Sequence, residues 1–550
     1  MRPAILLLLT FTNLAAAKLT ISWEEDVLTI HAPHLPGQEI KTWYLEAYCR
    51  PDSTDREWNE TVIGHETKLL SATPTEIHLR CTLSDGVTVD HFITAQNEKI
   101  AFALTAQNPT TKASLAHWAQ PCIRVGEFTG TQTDDDQYSY LKNSFIFLDG
   151  KQSFLPTPNW ATEARYIPGQ VWCPCHVPRS DVNPRPLSSD LPSNGLIGCI
   201  SSDQKWLLAT AWEPYQELFQ GIIRCLHSDF RIGGLDPGEK KTIQGALYLM
   251  PNDSAELLRR YQSDFPKQAL QHRTLALPSV THAKPAPGKR VPLTTSSYKE
   301  TEVHHTLYLP PHWNPDWKST KERYPLIVEF SGNQYPASGS TGRVEDSALG
   351  FGLTAGQAVW LNLPFISPDR KSNQPTWWGN EEATIAYAKK IVPQIIAGYG
   401  INPDQVILCG FSRGAIAVNY IGLHDDKIAS LWSAFVTHDH FDGVKQWGGT
   451  TWGSPLADYR KAAAQRRARL KGRPFLICQN GGTQDIQELV GNPPNLTYLD
   501  LDTRAIFKTF ANPIAIHPHT DRWLLKPSAY RNQAWDWIEK RGLILSSQAD

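Results

Sequence analysis

The stretch Val406-Ile407-Leu408-Cys409-Gly410-Phe411-Ser412-Arg413-Gly414-Ala415 constrains the chain more than any other. Val406 to Cys409 are four apolar residues and read as a buried strand, and Ala415 to Leu423 reads as a helix. Between them Gly410, Ser412 and Gly414 fit G-x-S-x-G. A serine at such a strand-to-helix corner sits in a strained backbone conformation with its hydroxyl projecting from the sheet edge. The flanking glycines are required because strand and helix pack too closely there for a Cβ. The competing reading is a glycine-flanked turn in an ordinary α/β domain. The strand before and the helix after favour a nucleophile at Ser412.

The chain has 550 residues, too many for one core, so two domains are expected. Formal net charge is -2, with acids and bases nearly balanced, which argues against a nucleic-acid partner or an anionic membrane surface. Residues 1–17 show a basic start, the apolar run Ala4 to Leu9 and the small residues Ala15-Ala16-Ala17, the three parts of a signal peptide. Cleavage is expected after Ala17. Lys18 rather than Cys follows, which speaks against a lipoprotein anchor. No other apolar run is long enough to span a bilayer, so the mature chain is expected to be secreted, extracellular or periplasmic, and soluble.

Seven of the nine cysteines precede residue 230, so any disulfides in an exported protein would mostly staple the first half. Cys409 and Cys478 lie in expected core strands and read as free buried thiols. Cys173-Pro174-Cys175-His176 lacks a second ligand pair at zinc-like spacing, so a disulfide or buried thiols is the better reading, and no metal is assigned. Asn59, Asn252 and Asn495 begin glycosylation sequons, relevant in a eukaryotic source.

Residues 18–272 read as an antiparallel β-sandwich domain. Short strands are expected at Leu19–Trp23, Val27–Ala32, Ile100–Ala106, Ser144–Leu148, Trp206–Ala211 and Lys241–Met250. Glu76–Leu83 and Val87–Ala95 alternate around Ser84-Asp85-Gly86, a hairpin signal. A helix follows at Ser254–Phe265. Asp134-Asp135-Asp136 could ligate calcium, but the EF-hand spacing is absent and a solvated acidic loop is the plainer reading. Trp206, Trp212 and Tyr215 could form a platform for sugar rings or could be core.

Residues 273–296 read as a linker, rich in Pro, Ala, Thr and Lys. Residues 297–550 alternate strands and helices. Leu326–Phe330, Ala358–Leu363 and Arg473–Gln479 are apolar runs, whereas Glu381–Ala397 and Arg531–Lys540 have helical period. This pattern implies a parallel sheet flanked by helices. Asn402-Pro403-Asp404 before the elbow strand, the elbow, and a final histidine before the last helix resemble α/β-hydrolases. The closest resemblance is to exported acetylxylan esterases, feruloyl esterases and polyhydroxyalkanoate depolymerases, over less than half of the chain. The first domain resembles, more weakly, the β-sandwiches found beside carbohydrate-active enzymes.

That resemblance supplies a chain order of Ser, then Asp or Glu, then His. Asp485, in the loop after the Phe475–Gln479 strand, is the first choice for the acid, with Asp439 and Asp442 as alternatives one strand earlier. His519 is the choice for the base and His517 the alternative. His424, His438 and His440 read as structural residues or as lying on a loop over the site. The oxyanion hole needs two backbone N–H groups, assigned to Arg413 and to Gly332 or Asn333 after the Leu326–Phe330 strand. The Arg413 side chain either faces a developing oxyanion or a substrate carboxylate, or salt-bridges a neighbour such as Glu381 or Glu382. Glucuronoyl esterases also carry a Ser-Arg pair in the elbow, but here Gly414 comes one residue sooner and no Lys follows. Trp377, Trp378, Trp447 and Trp452 lie in loops expected to shape a substrate site for sugar or phenolic rings.

The expected activity is hydrolysis of carboxylic esters, on a plant or algal polysaccharide, without metal or organic cofactor. The oligomeric state is open. The alternatives are a uronate esterase of the glucuronoyl kind, a peptidase of the prolyl-oligopeptidase kind, and a non-catalytic carbohydrate-binding protein. Against the peptidase, Ala415 stands where that group has a further glycine.

Overall fold

The computed structural model describes residues 18–131, 138–447, 450–508 and 517–542. The chain divides into two compact units at His272/Arg273. The leader at 1–17, the acidic run Asp134–Asp136 and the expected strand end before His517 lie outside the described residues. No described helix is long and apolar enough to cross a membrane.

The first unit is built from two antiparallel sheets, of eight and nine strands. Alternation predicts eight of these strands; Glu39–Cys49, Trp118–Arg124, Pro192–Ile200 and Cys225–Arg231 are among those it misses. Glu76–Leu83 and Ser144–Leu148 form as expected, and Glu76–Leu83 pairs with Thr88–Ala95 around Gly86, whose φ of +92° suits glycine. Both sheets feed one apolar cluster, with Ile30, Tyr44, Tyr48 and Phe230 from one and Leu79, Val89, Leu104 and Leu249 from the other. Trp212 and Tyr215 are buried in it, so they are core and not a sugar platform; Trp206 packs half-buried against the same cluster. All nine cysteines are unbridged thiols and only Cys175 is not fully buried, which is the buried-thiol reading rather than the disulfide one. Cys173 packs with Val171, Val177, Val182 and Phe219.

The second unit is built around an eight-stranded sheet. Its strands are β1 (Arg290–Leu293), β2 (His305–Tyr308), β3 (Tyr324–Phe330), β4 (Val359–Leu363), β5 (Ile401–Phe411), β6 (Ala434–His438), β7 (Phe475–Asn480) and β8 (Leu496–Leu501). They lie in the order β1-β2-β4-β3-β5-β6-β7-β8. From β4 to β8 all neighbours are parallel, while β1 and β2 pair antiparallel at one edge. β1 corrects the linker expectation: Arg290 and Val291 are buried inside the stretch read as unstructured. Its Pro292 hid it, and proline is tolerated there because the strand is at the edge. β5 carries the buried run Val406–Cys409 to the centre of the sheet, and Arg413–Tyr420 continues it as a helix. The order places the C-terminal ends of β3, β5, β6 and β7 side by side, which is where open α/β sheets gather functional groups.

Candidate active site

The corner at the end of β5 has the strain expected of it. Ser412 has φ 56° and ψ -118°, a conformation that costs on the order of 1–3 kcal/mol and persists only where its surroundings enforce it. They do so sterically. A Cβ on Gly410 would lie 2.1 Å from the Gly414 carbonyl oxygen, and one on Gly414 would lie 1.9 Å from that of Phe330. The Ser412 N–H donates to the His438 carbonyl at 2.9 Å, which ties the corner to the end of β6.

His519 lies next to this serine. The Ser412 hydroxyl is 2.9 Å from His519 Nε2, and His519 Nδ1 is 2.8 Å from Asp439 Oδ2. Nδ1–H donating to the carboxylate leaves the Nε2 lone pair to accept the serine proton. The loop that presents His519 is held at three points. Thr503 donates its hydroxyl to the Pro518 carbonyl, His438 Nε2–H donates to the Thr520 carbonyl, and the Ala348 N–H donates to Asp521. His517 accepts the His519 N–H on its own Nδ1 and stacks edge-on to Tyr335, so it neighbours His519, the histidine that meets Ser412.

The carboxylate that meets His519 is that of Asp439, and not that of Asp485, the first choice from the sequence. Asp485 is exposed in the first turn of the helix Gln484–Val490. Asp439 is buried directly after β6, where two consecutive residues take positive φ, 53° at Asp439 and 125° at His440. That turn swings the carboxylate toward His519. Its second oxygen accepts the Asn480 N–H at 2.8 Å and Gln479 Nε2 at 3.3 Å, both from the end of β7. Burial pushes the Asp439 carboxyl up, but the His438 and His519 imidazoles and the Asn480 N–H outweigh it and hold the group below the ordinary aspartate value. Asp442, the other alternative, is consumed by Arg466 in a two-pronged pair at 2.8 and 3.0 Å.

Gln479 and Asn480 escaped the sequence reading. The available signal was two amides closing an otherwise apolar strand. His440 packs 5.2 Å from the His519 ring and 4.6 Å from Trp447. Burial, with His519 and Lys445 nearby, depresses its pKa to about 3, so it is a neutral wall of the site at neutral pH.

The Arg413 backbone N–H opens the helix Arg413–Tyr420, where the first turn has no intrahelical acceptor. A Cβ on Gly332 would lie 3.5 Å from Ser412 Cβ, so the loop after β3 runs beside the nucleophile. Asn333 accepts the Trp377 N–H on its side-chain oxygen at 2.9 Å. Both expected sources of oxyanion donors are therefore adjacent to Ser412.

The Arg413 side chain overturns both of its expected roles. It is buried and stacks 4.2 Å over Phe365. Its guanidinium donates to the carbonyls of Ser331, Gln374, Trp377 and Gly342 and to the Ser331 hydroxyl. Five contacts match its five N–H donors, leaving none for substrate or for Glu381. Glu381 instead accepts the Tyr420 hydroxyl. Desolvation alone pulls the Arg413 pKa well down. The residue fastens the loop after β3 to the loop carrying Trp377.

The four loop tryptophans do come together. Trp377 lies 5.9 Å from Trp378, 5.7 Å from Trp447 and 5.2 Å from Trp452, and Trp378 stacks on Tyr420. Through His440 this aromatic nest adjoins His519. The indole N–H groups of Trp378, Trp447 and Trp452 have no protein acceptor among the described residues.

No family model matches the chain, and no curated protein matches it. Solved structures with partial likeness include the feruloyl esterase module from Clostridium thermocellum complexed with sinapinate, at 13% identity over 46% of this chain and 95% of that one, TM-score 0.28. A sugar hydrolase from Lactococcus lactis shares 13% identity over 47% of this chain and 100% of its own, TM-score 0.31. A thermophilic esterase from Thermogutta terrifontis shares 16% identity over 46% of this chain and 93% of its own, TM-score 0.29. At such identities and scores the chemistry has to be argued from this chain's own residues.

Proposed function

We propose that the second unit is a serine esterase with Ser412 as nucleophile, His519 as general base and Asp439 as the group that orients it. The unbroken chain Ser412 Oγ, His519 Nε2, His519 Nδ1, Asp439 Oδ2, with links of 2.9 and 2.8 Å, carries this reading. As His519 takes its proton, Ser412 Oγ bonds the ester carbonyl carbon, and the carbonyl π electrons move onto oxygen. The N–H groups of Arg413 and of Gly332 or Asn333 receive that oxyanion, a contribution of about 3 kcal/mol. Imidazolium then gives its proton to the departing alkoxide, leaving an acyl-Ser412. Water, deprotonated by His519, cleaves the acyl ester and restores the serine.

The ester is proposed to sit on a polysaccharide, with the tryptophan nest stacking on sugar or phenolic rings. Export, implied by residues 1–17, suits a polymeric substrate. The uronate reading loses its main support, because the Arg413 guanidinium is saturated by protein carbonyls.

The test is to treat purified protein with a fluorophosphonate and assay an acetyl and a feruloyl ester beside an aminoacyl-amide. Labelling at Ser412 with turnover of the esters alone is expected. Amide turnover would favour a peptidase. Polysaccharide binding without labelling would mark a non-catalytic protein.

A further inference from the structure

The outer side of the eight-stranded sheet in the first unit holds a cluster that ester hydrolysis does not use. Cys225, His227 and Asp229 alternate along the strand Cys225–Arg231 with Leu226 and Phe230, which point into the shared core. The period of two therefore sends the three polar residues to the opposite face. Pairing with the strand Trp118–Arg124 sets Cys225 opposite Arg124 and Leu226 opposite Ile123, which brings Cys122 level with His227 on that same face. One donor atom from each of Cys122, Cys225 and His227 lies within 4.8 Å of the others, and Cys225 Sγ is 3.2 Å from His227 Nε2. Sulfur and nitrogen ligands of a tetrahedral zinc, at about 2.3 and 2.0 Å from the metal, stand roughly 3.5 Å apart.

Three further observations point the same way. His227 faces the Asp229 carboxylate with its other nitrogen, Nδ1, at 3.7 Å, from where a small shift would let the carboxylate fix the tautomer of a ligating histidine. Neither Asp229 oxygen nor His227 Nδ1 has a hydrogen-bond partner among the described residues, although both side chains are fully buried. Gly221 closes over the cluster without taking positive φ. A Cβ there would lie 2.2 Å from Cys225 Sγ and 3.2 Å from His227 Nε2, so its bareness serves space around the donors rather than backbone conformation. Cys122, Cys225 and His227 are all buried, and the His227 ring packs 4.9 Å from that of Phe219, so the site suits a structural ion rather than a substrate.

We propose that Cys122, Cys225 and His227 bind a thiophilic divalent cation of the zinc type as a structural site, with Asp229 orienting His227. Glu46, whose carboxyl lies in the field of His227 and Cys225, or a water supplies the fourth ligand. Two thiolates neutralise the dication, and binding releases the protons the thiols held. The Cys173-Pro174-Cys175-His176 motif, which the sequence offers as a metal-like cluster, takes no part.

The experiment uses the full chain and is independent of esterase turnover. Protein is equilibrated with Zn2+, dialysed and assayed for metal, and a second portion is reconstituted with Co2+. About one zinc per chain and a sulfur-to-cobalt charge-transfer absorption are expected. C225S and H227A should lose both, and D229N should weaken affinity by about 10- to 100-fold. Should the variants fail to fold, the Co2+ spectrum of folded wild-type protein decides alone. Absence of thiolate absorption in that spectrum, zinc retained equally by folded C225S, or a Cys122–Cys225 disulfide in a non-reducing peptide map would each overturn the site.

Discussion

Replacing Asp439 by Asn is the most decisive single test of the catalytic assignment. The structure dictates how the new amide must sit. One Asp439 oxygen receives two donors from the end of β7, the Asn480 N–H at 2.8 Å and Gln479 Nε2 at 3.3 Å. An asparagine can keep those bonds only by placing its carbonyl oxygen there. Its NH2 then faces His519 Nδ1, the position now 2.8 Å from Asp439 Oδ2. Nδ1 must become the acceptor, and the ring proton moves to Nε2, opposite the Ser412 hydroxyl 2.9 Å away. The imidazole is then unable to take the serine proton. The same tautomer reversal in a Ser-His-Asp enzyme lowers kcat about 10⁴-fold, which at about 1.4 kcal/mol per decade is roughly 5.5 kcal/mol of barrier. Burst-phase hydrolysis of a chromogenic acetyl ester measures it, with thermal melting as the control for folding. D485N, which changes an exposed helix residue, should stay within about twofold of wild type, the range of a surface substitution. The reasoning is refuted if folded D439N retains activity within about tenfold of wild type, a deficit of only ~1.4 kcal/mol, or if D485N is the variant that fails.

Three other expectations follow from the geometry. R413K keeps the charge but offers three donors on one atom in place of five in a plane, so at least two of the acceptors on Ser331, Gly342, Gln374 and Trp377 go unserved. At about 1–3 kcal/mol for each buried orphan, urea unfolding should show a loss on the order of 3 kcal/mol. G414A puts a Cβ 1.9 Å from the Phe330 carbonyl oxygen, and fluorophosphonate labelling of Ser412 should vanish even in soluble protein. The third concerns pH. Glu345, 2.7 Å from His304 Nε2, raises the pKa of that histidine, while His304 lowers that of Glu345. A raised histidine pKa stabilises the fold below the ordinary histidine value, and the benefit disappears as pH rises through the folded pKa. A lowered carboxyl pKa does the reverse at the acid end. The melting-temperature advantage of wild type over H304Q should therefore be largest near pH 5–6 and shrink by pH 8, and an advantage that grows with pH would refute the pairing.

Features with a short-range cause were legible in the chain. The G-x-S-x-G corner is signalled by its own residues, although the crowding that demands glycine at 414 comes from Phe330 on β3. The alternating strands of the first unit, such as Glu76–Leu83 and Thr88–Ala95, follow from alternation and turn residues, whereas His519 follows from the resemblance and from its place before the closing helix Ala529–Glu539. The acid was not legible, because several aspartates follow β6 and β7 and all satisfy the same chain order. Which of them meets His519 depends on the lateral order β5-β6-β7 and on two left-handed residues at 439 and 440. Arg413 was opaque for a related reason: its partners are main-chain carbonyls, which every residue possesses and no side-chain pattern reveals. The buried Cys122, Cys225 and His227 lie on two strands joined by register, so about a hundred intervening residues separate atoms that pairing holds within 4.8 Å. Local stereochemistry is written in neighbouring residues; the meeting of side chains far apart in the chain is set by how strands are ordered and registered in a sheet.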